Sequence, residues 1–426
     1  MKFIYADAMD FVDPDFDFQN DRNAEGRIVQ WDDEYPHEFL DKAPYDGVLV
    51  SRGVVGDIHR QGKYTLPQMM RFRREGARSF LRYSEEKYPG SLLFGDCGAF
   101  TYRDEKVPPY TPADTLEFYA HGGFTHGCSV DHIIFDFDEG KGRPREDMPQ
   151  ATLDRYDLTL ELASEFHAQS KRLDGFTPMG VIQGWSAPSM AWAATQLVHM
   201  GYDYLAVGGL VPLRVPQIHA ALAAIRDAIP TRVKLHLLGF GKIENLAEFE
   251  RYGVASFDTT SPLLRAFKDA VKNYFARDEN GELSYYTAIR VPQSRDNTKL
   301  KAKARRGVLH QETALQLETH ALEAIRKHDK GKLSLDKALD HVLAYWKALN
   351  WQEGHNELTQ QRALTKQREV YRRTLTDQPW RNCGCRVCRE GGVETILFRS
   401  SNRNKRRGMH NLHVFYQHLL AHEFAA

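Results

Sequence analysis

The chain has 426 residues, of which 42% are hydrophobic and 27% charged, so it can bury the core of one large domain or two. Its 57 basic and 57 acidic residues cancel, so the net charge argues neither for nor against nucleic-acid binding. No run reaches the roughly 18 apolar residues of a membrane helix, the first residues lack a signal-peptide pattern, and five cysteines are too few for a disulfide scaffold. We therefore expect a cytoplasmic protein without membrane contact, its cysteines in a reducing compartment.

Short apolar runs recur as far as residue 258, and most neighbouring runs are separated by a segment of helical periodicity. Buried strands that alternate with helices predict an α/β chain folded as a TIM (β/α)8 barrel rather than an open sheet. The segment between the first two runs is acidic and irregular, so the first strand and helix of the barrel are the least clearly predicted. The predicted strands are Phe3–Ala6, Val48–Val50, Leu92–Phe94, Ile133–Phe135, Met179–Ile182, Tyr204–Val207, Leu235–Leu238 and Ala255–Phe257.

The pattern of the chain changes after Asp258. Residues 263–275 predict a helix, residues 284–290 a strand, and residues 311–374 two or three amphipathic helices. We therefore expect a catalytic barrel at 1–290, a basic linker with a helical insertion at 291–380, and a zinc-binding subdomain with a closing helix, packed on the barrel, at 381–426.

Polar side chains and glycines follow the predicted strands at their carboxyl ends, which is the face of a parallel barrel that carries catalysis. Asp96 follows the third strand and Asp258 the eighth. Two carboxylates about 5 Å apart can cleave a glycosidic bond with retention, one attacking the anomeric carbon and the other transferring protons. Strand-end aspartates also cap helices, so it is their joint occurrence that favours catalysis. Further groups on this rim could read a purine edge: Asp136 or Asp138, Gln183, Gly208, Gly209 and Leu210.

A cysteine cluster near the C-terminus predicts a metal site. Cys383, Cys385 and Cys388 form a C-x-C-x-x-C motif, and His410 and His413 follow on a helical pattern. Three thiolates and one imidazole make a closed tetrahedral zinc site, whose role is structural because no position is open to a substrate. Either histidine could be the fourth ligand.

The order of these motifs resembles that of the tRNA-guanine transglycosylases, in which a TIM barrel with a zinc subdomain exchanges guanine for a 7-deazaguanine. The opening of the chain, including residues 6–14 and 35–47, is similar to the DpdA branch of that family, which is implied to place preQ0 (7-cyano-7-deazaguanine) in DNA. The turn at Thr259–Pro262 lacks the arginine of the tRNA enzymes. The segments that resemble family motifs are Asp96–Phe100, Phe135–Asp136, Gln183–Gly184, Gly208–Leu210, Phe257–Asp258, Cys383–Cys388 and His410–Leu412.

The resemblance implies a DNA-guanine transglycosylase, which is a pentosyltransferase acting by double displacement. Asp258 would form the covalent intermediate with the nucleic acid, and Asp96 would manage the protons. The implied partners are DNA, guanine and preQ0. The family setting adds a helper ATPase that opens the duplex, and a homodimer is a further expectation. The implied structural cofactor is Zn²⁺, held by the three cysteines and His410.

The resemblance also implies how the base is held. Asp136 would accept hydrogen bonds from N1–H and the 2-amino group of guanine, while Gln183 and the N–H of Gly209 would face its O6. Phe100 and Leu238 would lie on the two faces of the ring.

Two basic clusters are the candidates for phosphate contacts, which make nucleic-acid binding depend on salt. The alternative is that they form a solvated loop and a solvated helix face. The residues concerned are Lys301, Lys303, Arg305, Arg306, Arg403, Lys405, Arg406 and Arg407.

Three other functions stay open at this point. The chain could be a tRNA-guanine transglycosylase of the queuosine or archaeosine pathway, a non-catalytic zinc protein that binds nucleic acid, or a barrel lyase or hydrolase for a small molecule. A binding module needs neither Asp96 nor Asp258, and a small-molecule enzyme needs no zinc-binding tail.

Overall fold

The computed structural model describes residues 1–139, 142–352 and 354–423. Its first eight strands are all parallel and form a closed barrel in sequence order, in which β1 pairs with both β2 and β8. The predicted TIM barrel is confirmed. The barrel strands are β1 Lys2–Ala6, β2 Gly47–Ser51, β3 Leu92–Asp96, β4 His126–Cys128, β5 Thr177–Ile182, β6 Tyr204–Val207, β7 Lys234–Leu237 and β8 Val254–Thr259.

The fourth predicted strand is wrong. The apolar run Ile133–Phe135 lies outside the barrel sheet, and β4 comes earlier, where His126 pairs with Phe94 on β3 and with Thr177 on β5. Ile133 and Ile134 are nevertheless buried. An apolar run indicates that a segment is buried, and it does not show that the segment is a strand. A buried segment without regular structure can have the same pattern of residues. The error displaces the predicted end of this strand by seven residues, from 128 to 135.

The helices surround the barrel in the first part of the chain and dominate the second. Four short strands accompany the later helices: β9 Tyr274–Arg277, β10 Leu283–Tyr286, β11 Ile289–Arg290 and β12 Leu397–Phe398. The helices are α1 Pro36–Phe39, α2 Arg52–Val55, α3 Leu66–Glu75, α4 Ala77–Phe80, α5 Pro112–Gly122, α6 Gln150–Ser170, α7 Ala187–Met200, α8 Val215–Ala228, α9 Leu246–Phe249, α10 Ser261–Lys268, α11 Thr298–Arg305, α12 Gln311–Asp329, α13 Leu335–Asn350, α14 Glu357–Asp377, α15 Arg386–Gly391 and α16 Ser401–Glu423.

The chain divides into two compact units, each assembled from separate segments. The barrel unit comprises Met1–Met9 and Tyr45–Ser261, and the second unit comprises Asp10–Pro44 and Pro262–Ala426. These units do not coincide with the boundaries at 290 and 380, so the three-part division stays a prediction.

The predicted helix at 263–275 is too long. Of the two or three helices predicted at 311–374, the structure has three, α12, α13 and α14. Helix α10 ends at Lys268 because the Asp269 carboxylate accepts hydrogen bonds from the N–H groups of Val271 and Lys272, which bends the chain into a turn. The next residues form β9, which pairs antiparallel with β10 in a hairpin. The core of the second unit is built around α12, α13, this hairpin and α16.

Among the described residues, none of the helices combines the length and apolar character needed to cross a lipid bilayer.

Candidate active site

A cavity of about 260 Å³ lies at the carboxyl ends of the barrel strands. Asp96, at the end of β3, and Asp258, near the end of β8, both line it. The two carboxylates therefore share one cavity, as the barrel topology predicts. Other residues of the lining are Asp7, Ser51, Lys63, Gly98, Phe100, Asp131, Phe135, Gln183, Gly208, Gly209, Val211, Leu238, Gly239 and Thr260.

The Asp96 carboxyl is held in a setting that favours its protonated form. Burial, with the nearby charges of Asp131 and Asp258, raises the pKa of Asp96 to about 7, although hydrogen bonds from the Ser51 hydroxyl and the Gly98 N–H oppose the shift. A carboxyl with a pKa near 7 can donate a proton and later accept one at neutral pH. Asp96 thus has the proton affinity of a general acid and base.

The Asp258 carboxylate is fixed by its neighbours and lies at the cavity wall. Its Oδ1 accepts a hydrogen bond of 2.9 Å from the Gly239 N–H and lies 3.2 Å from Nε2 of His236. The other ring nitrogen of His236 lies 2.5 Å from the Ser256 hydroxyl, which in turn is 2.6 Å from the Tyr204 hydroxyl. A nucleophile needs one fixed direction of attack, and two neighbours on Oδ1 hold that oxygen and leave Oδ2 for the reaction.

A third carboxylate, Asp131, reaches the cavity from the loop after β4. Its Oδ2 accepts a hydrogen bond of 2.7 Å from Nε2 of Gln183, and its Oδ1 lies 3.1 Å from the Cys97 thiol. Oε1 of Gln183 accepts from the Ile134 N–H, so both ends of this amide are engaged. Burial raises the pKa of Asp131. These hydrogen bonds hold the Asp131 carboxylate and the Gln183 amide in a fixed orientation at the cavity.

The prediction for Asp136 needs correction. Asp136 is exposed and does not belong to the described lining of the cavity, and Asp138 is directed elsewhere, 3.3 Å from Nε of Arg143. Asp131 lies where a base-reading carboxylate was expected. The misplaced fourth strand explains the error, because the true strand ends at Cys128 and brings Asp131 to the rim. The pattern Cys128–Asp131, a short run before an aspartate, was the available signal.

The walls of the cavity are apolar. The rings of Phe100 and Phe135 lie 5.9 Å apart, edge to face, and both line the cavity together with Leu238 and Val211. Phe100 is 50% exposed, so its ring is accessible to a ligand in the cavity. Leu210, by contrast, is buried and is not part of the described lining.

Two glycines let the backbone approach the polar groups of the cavity. Gly98 has φ of +89°, and a Cβ there would lie 2.6 Å from the Gly53 backbone. A Cβ on Gly208 would lie 2.4 Å from Nε2 of Gln183. Any larger residue at either position would displace the loop or the amide.

The second unit contains the predicted metal centre. Cys383, Cys385, Cys388 and His410 place one ligand atom each within 4.8 Å of the others, and Nδ1 of His410 lies 3.3–3.5 Å from the three sulfurs. Nε2 of His410 donates to the Phe275 carbonyl over 2.8 Å. The unprotonated nitrogen is then Nδ1, and its lone pair faces the thiols. The donor set and its orientation fit a tetrahedral metal ion, and His410 rather than His413 completes the described group.

The arginines of α16 are buried and bonded within the second unit, which corrects their prediction as phosphate ligands. Arg407 donates to the carbonyls of Ala266, Thr395 and Leu397, and Arg406 to those of Asp13 and Pro14.

Arg403 belongs to the same buried set. It is 1% exposed and pairs with Asp21 and Glu394. Lys405 is partly buried, with its ammonium 4.8 Å from the Phe11 ring.

The basic residues at 301–306 divide into two groups. Lys303 is buried and donates to the carbonyls of Ala348 and Trp351, where it caps the C-terminus of α13. Lys301, Arg305 and Arg306 are exposed. Of this cluster, these three alone keep their side chains on the surface as predicted.

Comparison with known proteins gives a relative that matches over nearly the full length of the chain. No family model matches the chain. Over 421 residues, it is 40% identical to a DNA-guanine transglycosylase of Salmonella montevideo, and the match covers 98% of this chain and 96% of that protein.

Two queuine tRNA-ribosyltransferases match over about a third of the chain. The match to a queuine tRNA-ribosyltransferase of Thioalkalivibrio sulfidiphilus is 32% identical over 139 residues, covering 32% of this chain and 36% of that protein. A queuine tRNA-ribosyltransferase of Helicobacter pylori (strain G27) is 28% identical over 141 residues, covering 33% and 36%.

Proposed function

The chain belongs to the tRNA-guanine transglycosylase superfamily, in the branch of the DNA-guanine transglycosylases, and from this premise we propose that it exchanges guanine in DNA for preQ0 by double displacement. It is then a glycosyltransferase that breaks one glycosidic bond and makes a similar one, so the exchange needs no external energy source. The observation that carries the proposal is the shared cavity of Asp96 and Asp258.

In the first step, Oδ2 of Asp258 attacks C1′ of the target nucleotide, which has been extruded from the base stack. The C1′–N9 bond breaks, its electron pair passes to the guanine, and Asp96 donates its proton to the departing base. The products are a deoxyribosyl ester of Asp258 and free guanine. The hydrogen bonds on Oδ1 of Asp258 support this role, because they leave the other oxygen for attack.

In the second step, preQ0 takes the place of guanine in the cavity. The Asp96 carboxylate accepts the proton from N9 of preQ0 while N9 attacks C1′. The bond between C1′ and Oδ2 of Asp258 breaks, and its electron pair returns to the Asp258 carboxylate. The pKa of Asp96, raised to about 7, supports this double use, since the same group must give a proton and then take one. Both carboxyl groups end in their starting states.

We propose that Asp131 reads the base in place of Asp136. Its carboxylate accepts from N1–H and the 2-amino group, a pair of donors that guanine and preQ0 share. Gln183 orients Asp131 through the 2.7 Å hydrogen bond, and the N–H of Gly209 faces O6 of the base. Phe100 and Leu238 flank the ring.

The ion of the Cys3His group is proposed to be Zn²⁺, in keeping with its thiolate-rich tetrahedral donor set. It supplies cross-linking and no chemistry, because four protein ligands leave no open position. DNA phosphates are proposed to contact Lys301, Arg305 and Arg306, which are exposed. The helper ATPase, the homodimer and the cytoplasmic location stay predictions.

The test is the covalent intermediate. Wild type incubated with DNA that contains labelled guanine should release label and form a denaturant-resistant adduct, while Asp258→Asn should do neither. Asp227→Asn, which changes an aspartate of helix α8 outside the cavity lining, is the matched control. An adduct that persists in Asp258→Asn would remove Asp258 as the nucleophile.

The nucleic acid is tested in the same reaction with labelled preQ0. Mass analysis of nucleosides should find the label in DNA and not in tRNA. Incorporation into tRNA alone would replace the DNA proposal with the queuosine or archaeosine alternative and leave the chemistry intact.

A further inference from the structure

A second group of metal-ligating side chains lies on the second unit, apart from the cysteine site. Glu282 lies in the turn of the β9–β10 hairpin, directly before β10, and His418 and His422 lie one turn apart on α16. One ligand atom from each of these three residues lies within 4.8 Å of the other two. Two histidines at positions i and i+4 of a helix point to one side and form a common metal-binding pair.

The hydrogen bonds of the two imidazoles point to a metal. Nδ1 of His422 lies 2.9 Å from the His418 carbonyl, and Nδ1 of His418 lies 3.3 Å from the Gly281 carbonyl. A carbonyl accepts and cannot donate, so both Nδ1 atoms carry protons. In a neutral imidazole the second nitrogen, Nε2, then has the free lone pair. Metal-bound histidines are typically oriented in this way by a carbonyl on their other nitrogen.

The carboxylate supplies the third ligand. Nε2 of His422 lies 3.2 Å from Oε1 of Glu282, so a lone pair and a carboxylate face each other unless a proton or a metal ion lies between them. Both side chains are about half exposed, so an ion can reach them from solvent.

We propose that Glu282, His418 and His422 bind a divalent first-row transition metal ion, with Zn²⁺ as the ion that best suits two imidazoles and a carboxylate. Three protein ligands leave a fourth position for water. The ion would join the C-terminal part of α16 to the β9–β10 hairpin, which also contacts the cysteine site through the carbonyl of Phe275. Arg277 donates to the Gly281 carbonyl as well, so a positive charge lies nearby and the affinity is expected to be moderate.

The test counts metal ions on the full chain, purified without a histidine tag and with its cysteine site loaded. Wild type titrated with Zn²⁺ against a chromophoric indicator should bind one equivalent more than the double variant His418→Ala/His422→Ala. The control, His320→Ala/His341→Ala, removes two other exposed histidines whose rings lie 5.9 Å apart, and it should keep the extra equivalent. Glu282→Gln should lower the affinity for that additional Zn²⁺ about tenfold or more.

Cobalt distinguishes the two sites when the same variants are prepared without metal and loaded with Co²⁺ in place of Zn²⁺. Thiolate-to-cobalt charge-transfer bands should be identical in wild type and both double variants, because they report the cysteine site. The extra Co²⁺ should add only weak d–d bands, and only where His418 and His422 are present. If wild type binds no more metal than His418→Ala/His422→Ala, the proposal is wrong and Glu282 and His422 form a simple ion pair.

Discussion

Asp131 and Asp136 differ by five positions in the chain and have opposite surroundings. Asp131 is 3% exposed, lines the cavity and is bonded to Gln183, whereas Asp136 is exposed. A buried carboxylate keeps a fixed direction because its partners hold it, while an exposed one samples many. The two aspartates therefore provide a matched pair for testing which of them reads the base.

We expect Asp131→Asn to reduce guanine release strongly, since an amide presents its own N–H groups to the donors of the base. One lost charged hydrogen bond corresponds to about 2–3 kcal/mol, or roughly 30- to 150-fold in kcat/KM. Asp136→Asn should stay close to wild type. A larger loss of guanine release in Asp136→Asn than in Asp131→Asn would instead identify Asp136 as the base-reading residue.

The same substitution should move the pH profile. The pKa of Asp96 is raised to about 7 by burial first and by the charge of Asp131 next, and removal of that charge lowers it. Asp96 must be protonated to release guanine, so kcat/KM falls as the pH rises through this pKa. In Asp131→Asn the falling limb should begin at a lower pH than in wild type or Asp136→Asn. A limb that stays in place would contradict either Asp96 as the proton donor or the charge of Asp131 as a cause of its raised pKa.

At the scale of elements, α16 shows why a basic segment need not contact phosphate. Its arginines point into the second unit, where Arg403 joins Arg399 and Arg326 in one network with Asp21, Glu318 and Glu394. A buried guanidinium is costly unless its donors are bonded, and here carboxylates and carbonyls accept hydrogen bonds from most of them. Nε of Arg407 is a buried donor without a hydrogen-bond partner among the described residues. The helix thus uses its charges to hold the irregular segments around it.

Arginine-to-methionine substitutions on α16 and at the C-terminal end of α11 should separate stability from DNA binding. Arg407→Met leaves the carbonyls of Ala266, Thr395 and Leu397 without this donor, and we expect it to lower the free energy of unfolding by about 3 kcal/mol. Arg305→Met/Arg306→Met should change stability by less than about 0.5 kcal/mol and flatten the salt dependence of DNA binding. Denaturant unfolding and binding titrations at several salt concentrations measure both. An unchanged salt slope would exclude α11 from the DNA-binding surface.

At the scale of the whole molecule, the cysteine site is part of a hydrophobic core rather than an appendage. Cys385 and Cys388 are buried with Met409 and Tyr274, and the Tyr274 ring stacks on His410 with centroids 4.1 Å apart. Removing the ion would leave thiolates and an imidazole buried without their common partner. Metal binding should therefore contribute to the folding of the second unit.

We expect chelation to lower the midpoint of thermal unfolding by at least several degrees, because a structural zinc site contributes on the order of 10 kcal/mol. Calorimetry before and after chelation, with elemental analysis to verify that the metal has left, measures the effect. Readdition of Zn²⁺ should restore the midpoint. A metal-free protein with an unchanged midpoint would show that the site is dispensable for folding.

Local chemistry by itself determined seven of the eight barrel strands, the two carboxylates of the cavity and the three cysteines of the metal group. Asp96 and Asp258 directly follow or end apolar runs, and parallel strands bring their carboxyl ends to one rim; the C-x-C-x-x-C spacing lets three thiols meet around one ion. Only the tertiary structure placed Asp131 rather than Asp136 in the lining of the cavity, turned Arg403, Arg406 and Arg407 inward, and joined residues 10–44 to the second unit. The reason is that sequence patterns report burial and short-range spacing, whereas the direction of a loop side chain depends on partners far away in the chain.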